Sequence, residues 1–461
     1  MSSHLKRARS RVRPLRQMAR RGSTMRPDRT TRQYPVARAG LRGRGWPLRA
    51  IVLLLAAAWA LPLWAFEDSN PRSTAMAEAY TALARGTDAL TWNPANLALQ
   101  GNPKFSVSLL SLSIDLSNNA LDRGDYNRYS GAFLGEIEKQ ELLGNIPENG
   151  LRFSGAGNLS LLDISYRNYA VSLVRGIGCA SAVLPRDVLD LALNGNEFGR
   201  QYDFGDAEGE GWVVQSISIG AAQAIPLEAV ERLAVGATLK YLRGYGYGRV
   251  IESGGSLMTD DEGLYGDGRF VVRTAVGGSG LALDLGAAAV IDPRWTVGLK
   301  LGNVLGRIWW DSETEEHRNS FLADWITVVS VSEGDSITSG GERTEIASFT
   351  SDYPFYWRLG ACYRWSTTLV QTFDYEQGFR RAPGLSTTPR FATGVEYAGL
   401  WWMPLRAGLS LGGREGFTTA LGLEVSSGIV DFDVAMANKH HILPLSGKGL
   451  RAAVGCRVNF Y

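Results

Sequence analysis

Residues 281–302 read LALDLGAAAVIDPRWTVGLKLG, and the fold turns on how this stretch is read. Leu281, Leu283, Leu285, Ala287, Ala289 and Ile291 fall on one face, with Asp284 and Gly286 opposite. After Asp292-Pro293-Arg294, the residues Trp295, Val297, Leu299 and Leu301 oppose Thr296, Gly298, Lys300 and Gly302. A strict period of two is the mark of a β-strand with unlike faces. Two such runs joined by a three-residue turn predict an antiparallel hairpin.

The same period recurs through the body of the chain, whereas long helical periodicity is almost absent past residue 100. Phe355, Trp357, Leu359, Ala361 and Tyr363 oppose Arg358, Gly360 and Arg364; Leu405, Ala407, Leu409 and Leu411 oppose Arg406, Gly408 and Ser410. A soluble β-sandwich also alternates, because its apolar face lies inside. Three features favour a membrane barrel instead. The polar face is rich in Gly and in charges of both signs, which suits a hydrated or plugged lumen. Segment ends carry Trp295, Trp357, Tyr363, Trp401 and Trp402, where a membrane-surface girdle would lie. The connections alternate between short and long.

Strands are expected near 104–116, 151–166, 169–183, 212–225, 231–249, 278–291, 295–305, 354–364, 367–377, 389–397, 403–412, 416–425, 428–437 and 449–461. That makes an even set of fourteen, with short joints at one end and long loops at the other, as in bacterial outer-membrane barrels. Open strand edges in lipid would leave backbone groups unpaired, so the sheet must close. The expected fold is an all-β, 14-stranded antiparallel transmembrane barrel with both termini on the side of the short turns. Fourteen strands enclose more space than wall side chains alone can fill.

Whole-chain composition conceals a split. Residues 1–49 carry 15 Lys plus Arg against one acid, Asp28, leaving 33 basic and 45 acidic residues in the rest. Residues 50–65, AIVLLLAAAWALPLWA, form an uncharged run of 16 residues. A membrane-spanning helix needs about 20. With its basic flank and the small Ala65 at its end, the run predicts a secretory signal over 1–65, cut near Ala65. An N-terminal membrane anchor is the alternative. A start at Met18 or Met25 would shorten the leader. The acidic body argues against nucleic-acid binding.

Cys179, Cys362 and Cys456 cannot all pair within the chain and show no metal-like spacing, so they are expected as small packing residues. His317, His440 and His441 fall in expected outer loops, away from any ligand set or catalytic partner. No metal, cofactor or enzymatic activity is expected.

Between the leader and the first strand, residues 66–103 contain Ala75, Met76, Ala79, Ala82 and Leu83 at helical spacing, with Gly86 as a C-terminal stop. Pro94 disfavours helix at Asn93 and predicts a turn there. A helix of small residues followed by a tight turn would fit inside a barrel, so 66–103 is expected to be a hatch and 104–461 the barrel.

Residues 77–99, AEAYTALARGTDALTWNPANLAL, resemble the N-terminal hatch of the FadL-type outer-membrane barrels, which include the long-chain fatty-acid transporter and PorV-like proteins. Asn93, Pro94 and Ala95 match the family's Asn-Pro-Ala hatch motif, although Asn96 stands where relatives commonly have Gly. Residues 278–304, GSGLALDLGAAAVIDPRWTVGLKLGNV, are similar to a hairpin of PorV-like relatives. Residues 108–129 resemble a subgroup without assigned function. The resemblance implies an outer-membrane location, contact with outer-membrane lipid, and transport of a hydrophobic small molecule past the hatch. The chief alternative it implies is a PorV-like scaffold that docks a secreted protein or a secretion complex.

Two sets of wall residues stand out. Glu424, Asp431, Asp433, Arg451 and Arg457 project toward the lumen from three successive strands, where cross-strand ion pairs or a solvated wall are both expected arrangements. Arg175 falls in the apolar register of the third strand, where facing lipid would cost about 2–4 kcal/mol. Either Gly176 and Gly178 allow a bulge that turns Arg175 inward, or Arg175 sits at the outer interface. In the fatty-acid transporter a kink in the third strand makes a lateral opening, which the resemblance carries to Arg175, Gly176 and Gly178.

Overall fold

The computed structural model describes residues 69–327, 337–441 and 447–461, so the expected leader over 1–65 lies outside the described residues. Fourteen strands form the wall. They are β1 Phe105–Asn118, β2 Leu151–Tyr166, β3 Tyr169–Leu184, β4 Glu208–Ile225, β5 Arg232–Asp260, β6 Gly278–Val290 and β7 Trp295–Trp310, followed by β8 Tyr356–Arg364, β9 Leu369–Gly378, β10 Arg390–Tyr397, β11 Leu405–Gly412, β12 Gly416–Ser426, β13 Val430–Lys439 and β14 Gly449–Phe460. Each pairs antiparallel with the next, and β1 pairs with β14 from Phe105↔Phe460 to Ser117↔Gly449. That last ladder closes the ring, so no wall strand has a free edge within the bilayer.

The wall is inside out relative to a soluble protein. Leu239, Leu281, Leu299, Leu359, Leu409 and Leu421 are exposed on its outer surface, while Lys240, Lys300, Arg358, Arg406, Glu424 and Asp433 are buried within. This inversion is the arrangement of a membrane-spanning barrel. Near the short turns Trp295 packs at a tilt against Tyr363, and Tyr363 meets Trp365 edge to face, each pair with ring centroids 4.7 Å apart. Amphipathic rings favour the membrane surface, where this cluster forms part of a girdle. Phe460 meets Phe105 across the closing ladder at 5.9 Å.

The outer connections differ from the loops expected. β5 runs for 29 residues, and its far end pairs with a strand at Gly263–Ala275. That strand pairs with Glu315–Ile326, which pairs in turn with Thr338–Glu345. A small antiparallel sheet therefore continues outward from the wall. Its strands carry polar residues on both faces, so no two-residue hydropathy pattern marks them. Within it Arg273 hydrogen-bonds Glu316 at 2.7 Å and holds that carboxyl below its ordinary range. The connection 117–150 contains helices at Arg123–Tyr129 and Glu136–Asn145, and 184–211 contains one at Arg186–Asn194. No described helix is long and apolar enough to cross a membrane.

Candidate functional site

The N-terminal segment lies inside the ring, nearer the short turns. The helix expected over Ala75–Leu83 does not form. A five-residue helix, α1 Pro71–Ala75, is capped by Asn70, after which Ala77 and Glu78 take positive φ of 48° and 68°. The reason is competition from the wall. Asp374 accepts from the backbone N–H of Tyr80 at 3.1 Å and of Thr81 at 2.9 Å, and the Thr372 hydroxyl donates to the Ala79 carbonyl at 2.6 Å. A short helix gains little on its own in water, so these tertiary bonds override its propensity. Gly86, expected as a stop, instead opens a 3-10 turn at φ +61°.

Farther on, helix α2 Ala89–Trp92 ends where Asn93 turns extended before Pro94, and the Asn93 side chain accepts from Ala95 N at 3.2 Å. The hatch-motif residues rest on wall glycines. A Cβ on Gly286 would lie 2.2 Å from Asn93 Oδ1, and one on Gly236 would lie 2.6 Å from Ala95 N. A Cβ on Gly408 would lie 2.2 Å from the Met76 backbone on the far side of the segment. The glycine-rich inner face is thus a seat for backbone, where any side chain would collide. Asn96 binds the segment to itself, donating to the carbonyls of Thr81 and Ala84 at 2.9 and 3.0 Å. Nothing in the sequence pattern singles it out for that role.

Around this seat the lumen has two unlike sides. On β8 to β14 it is charged. Asp433 meets Arg406 and Arg457 at 2.9 Å each and Arg72 of α1 at 3.4 Å. Glu424 meets Arg72 and Arg406 at 2.6 Å each, and Asp431 meets Arg72 at 3.3 Å. Arg451 joins Asp115 of β1 to Glu78 of the segment, both at 2.5 Å, and Arg457 also reaches Asp88 at 2.7 Å. All five charges singled out in the sequence are buried, and the network takes in Arg72, Glu78 and Asp88 from the inserted segment. Those three partners are invisible to strand periodicity because they lie outside the strands. Arg358 stacks over the Trp92 ring at 4.4 Å.

On β2 to β7, toward the outer end, the inner face is apolar and aromatic. Ile177, Trp212, Val214, Leu242, Tyr247, Ile308 and Trp310 form one buried cluster with Tyr353. Trp212 and Tyr353 lie 5.3 Å apart, as do Tyr247 and Trp310, and Phe349 packs 5.4 Å from Tyr247. A Cβ on Gly244 would strike Trp310 at 2.4 Å, so this glycine lets the indole lie flat on the wall. Trp310 keeps its N–H satisfied by Ser351 Oγ at 2.8 Å. Such a lining presents almost nothing for water to bind.

At Arg175 the strand carries a one-residue register shift against β4, between Ser172 and Arg175. The shift turns Arg175 inward to an ion pair with Asp163 at 2.8 Å. The wall is not open there: Gly176, Ile177 and Gly178 pair with β2 on one side and β4 on the other without interruption. The bulge relieves the charge by rotating it, and the glycines leave the ladder whole. Cys179, Cys362 and Cys456 are free thiols, the first two buried. Among the described residues no group of His, Cys, Asp and Glu could hold a metal.

A family model described as a family of unknown function, DUF5723, matches residues 94–276. No curated protein matches the chain significantly. Among solved structures, the Pseudomonas putida toluene transporter TodX superposes with a TM-score of 0.50 at 11% identity, over 86% of this chain and 99% of its own. A Pseudomonas aeruginosa FadL homologue gives a TM-score of 0.49 at 14% identity, over 87% and 99%. The Ralstonia pickettii toluene transporter TbuX gives 0.46 at 16%, over 86% and 99%. With its closed ring of fourteen strands and an N-terminal segment seated in the lumen, the chain has the fold of the FadL-type barrels.

Proposed function

We propose that this protein resides in the bacterial outer membrane and passes a hydrophobic small molecule through its lumen, with residues 66–103 as the plug. The observation that carries the reading is the inward aromatic cluster around Trp212, Tyr247 and Trp310. A wall that served only water would be polar on its inner face. The toluene transporter of like fold makes an aromatic hydrocarbon a sensible probe. Binding and movement suffice for this role, without bond chemistry. Because the seated segment fills the half of the lumen near the short turns, a solute moving inward must displace it or leave sideways into the bilayer.

Photolabelling tests the reading. A diazirine-bearing hydrocarbon should label peptides of β4, β5 and β7 in the reconstituted protein, in competition with toluene, and Leu242→Asp should abolish that labelling. Labelling confined to the outer lipid face and indifferent to Leu242→Asp would sink it.

A second reading is a scaffold that docks a secreted protein or secretion complex. The observation favouring it is the outward sheet, whose last strand, Thr338–Glu345, pairs on one side only among the described residues. Exposed strand edges recruit extended chains by adding a strand. Deleting that hairpin should release a bound protein under this reading and leave hydrocarbon labelling intact under the first.

A further inference from the structure

A stretch of chain crosses the outer end of the lumen. Residues 379–389 join β9 to β10, yet they reach β3 and β4, which lie nearly opposite in the ring. Arg380 pairs with Glu210 of β4 at 3.1 Å, and the Cys179 thiol of β3 donates to the Pro383 carbonyl at 3.7 Å. Both wall residues point inward, because Glu210 stands two residues from Trp212 and Cys179 two from Ile177 along their strands. Trp212, Ile177 and Cys179 belong to the aromatic cluster. The crossing stretch is thus a strap laid over that cluster.

Its own sequence and the wall together send it inward. Ala382, Pro383 and Leu385 are buried while Arg381, Thr387 and Thr388 are exposed, so the strap has one apolar face. Ala382 and Leu385 exchange backbone hydrogen bonds at 3.3 and 3.0 Å and pack on Tyr356 of β8. This turn, with Gly384 at φ +81°, ties the tip into one body. A Cβ on Gly378 would lie 2.6 Å from both Leu385 Cγ and Ser386 O, so this glycine lets the strap fold back across the wall. Arg414, in the turn after β11, donates to the carbonyls of Ala382 and Leu385 at 2.7 and 3.5 Å. The hold is incomplete. Arg380 Nε and Arg414 Nη1 are buried without a hydrogen-bond partner, and the Arg380 side chain is 31% exposed. A buried N–H without an acceptor penalises the closed position, and a partly exposed ion pair offsets little of that. Lifting the strap would give both guanidinium groups to water.

We propose that residues 379–389 are an outer gate, latched by Arg380 on Glu210 and by Arg414, which lifts to admit a solute to the aromatic cluster. The proposal rests on the reading of a hydrophobic solute passing through the lumen, and adds the step that precedes binding. A solute arriving from outside meets the strap before it meets Trp212. The ladder of β9 ends at Gly378 and that of β10 begins at Arg390, so the strap can swing without unpairing any wall strand. Elements held by few contacts of this kind open at the low end of a protein's local stabilities.

Cys179 reports the position of the gate, since Pro383 rests on it. The full-length barrel with Cys362→Ala and Cys456→Ala is expressed in the outer membrane, each variant is checked for heat-dependent gel migration, and intact cells are treated with a sulfonated, membrane-impermeant maleimide. Glu210→Gln, which undoes the latch, and Gly378→Ala, which pushes Leu385 away, should each speed modification of Cys179 about tenfold. Glu252→Gln, which breaks a half-exposed ion pair with Arg269 in the outward sheet, should leave it unchanged. Modification as slow in both gate variants as in the parent overturns the proposal. A second arm holds the gate shut: Glu210→Cys and Arg380→Cys, with the three native cysteines replaced by Ala, are bridged by a reducible bifunctional methanethiosulfonate. Bridging should cut labelling of β4, β5 and β7 by the diazirine-bearing hydrocarbon, added from outside, about tenfold, reversibly on reduction. Labelling indifferent to the bridge overturns the gate. Fast modification of Cys179 in the gate variants, with no hydrocarbon labelling of the unbridged barrel, would overturn the transport reading and leave the gate in place.

Discussion

The two sides of the lumen hold their contents by different physics. On β8 to β14, Arg72, Glu78 and Asp88 of the inserted segment enter ion pairs with buried wall charges. On β2 to β7, toward the outer end, the cluster of Trp212, Tyr247 and Trp310 packs without charge. Charge pairs are directional and costly to leave half-made. Apolar packing is non-directional and accepts an apolar guest in place of a self-contact. The charged side is thus suited to hold one segment in one pose, and the aromatic side to exchange occupants.

The largest expected effect is on the charged side. Asp433→Ala leaves Arg72, Arg406 and Arg457 short of a shared partner, and should destabilise the barrel by about 3–5 kcal/mol in urea refolding followed by heat-dependent gel migration. A loss under 1 kcal/mol would mean that water, not protein, balances these charges. Next comes Trp310→Ala, which empties the aromatic side and should cost about 3 kcal/mol by the same assay. Its comparison with Asp433→Ala is sharpened by salt. Only the charged-side variant should leave N-terminal protease sensitivity dependent on ionic strength, because screening acts on the exposed charges it creates.

Smaller still is Gly286→Val, which places a side chain against Asn93 and Pro94. The strand tolerates Val, so the ring should assemble, with a loss of about 1–3 kcal/mol from overpacking and a protease-sensitive N-terminal segment. A protected segment in this variant would show that the glycine seat is dispensable. The smallest effect lies outside both sides, in the outward sheet. Glu316, held below its ordinary value by the hydrogen bond from Arg273, contributes fully above that ordinary value and loses its contribution as pH falls through its lower folded value. Proteolysis within Glu315–Ile326 should therefore rise only at acid pH, before the wall is affected, and Glu316→Gln should remove the pH dependence.

How far the site was legible follows from which residues lie on strands. Asp431 and Asp433 are found by parity alone, since a residue on the face opposite Val430 and Phe432 must point inward once the outside is apolar. Arg175 is found by its conflict with that parity, and the bulge resolves the conflict. Arg72, Glu78 and Asp88 carry no such signal, because the inserted segment has no period to set its register. The expected helix at Ala75–Leu83 fails for the same reason: local propensity was its only support, and wall hydrogen bonds from Asp374 and Thr372 outweigh it.

By itself the sequence determined the wall. Alternation of period two, fourteen times over with short and long joints, admits a closed barrel with apolar residues outward, because a one-residue slip would put every charge in lipid. Tertiary structure alone decided what the lumen does with its faces. Whether Gly236, Gly286 and Gly408 line water or seat a segment, which charges meet across the lumen, and where residues 379–389 come to rest all depend on contacts between residues far apart in the chain. No local pattern encodes such contacts, since their energy exists only once the ring has closed around its own N-terminal segment.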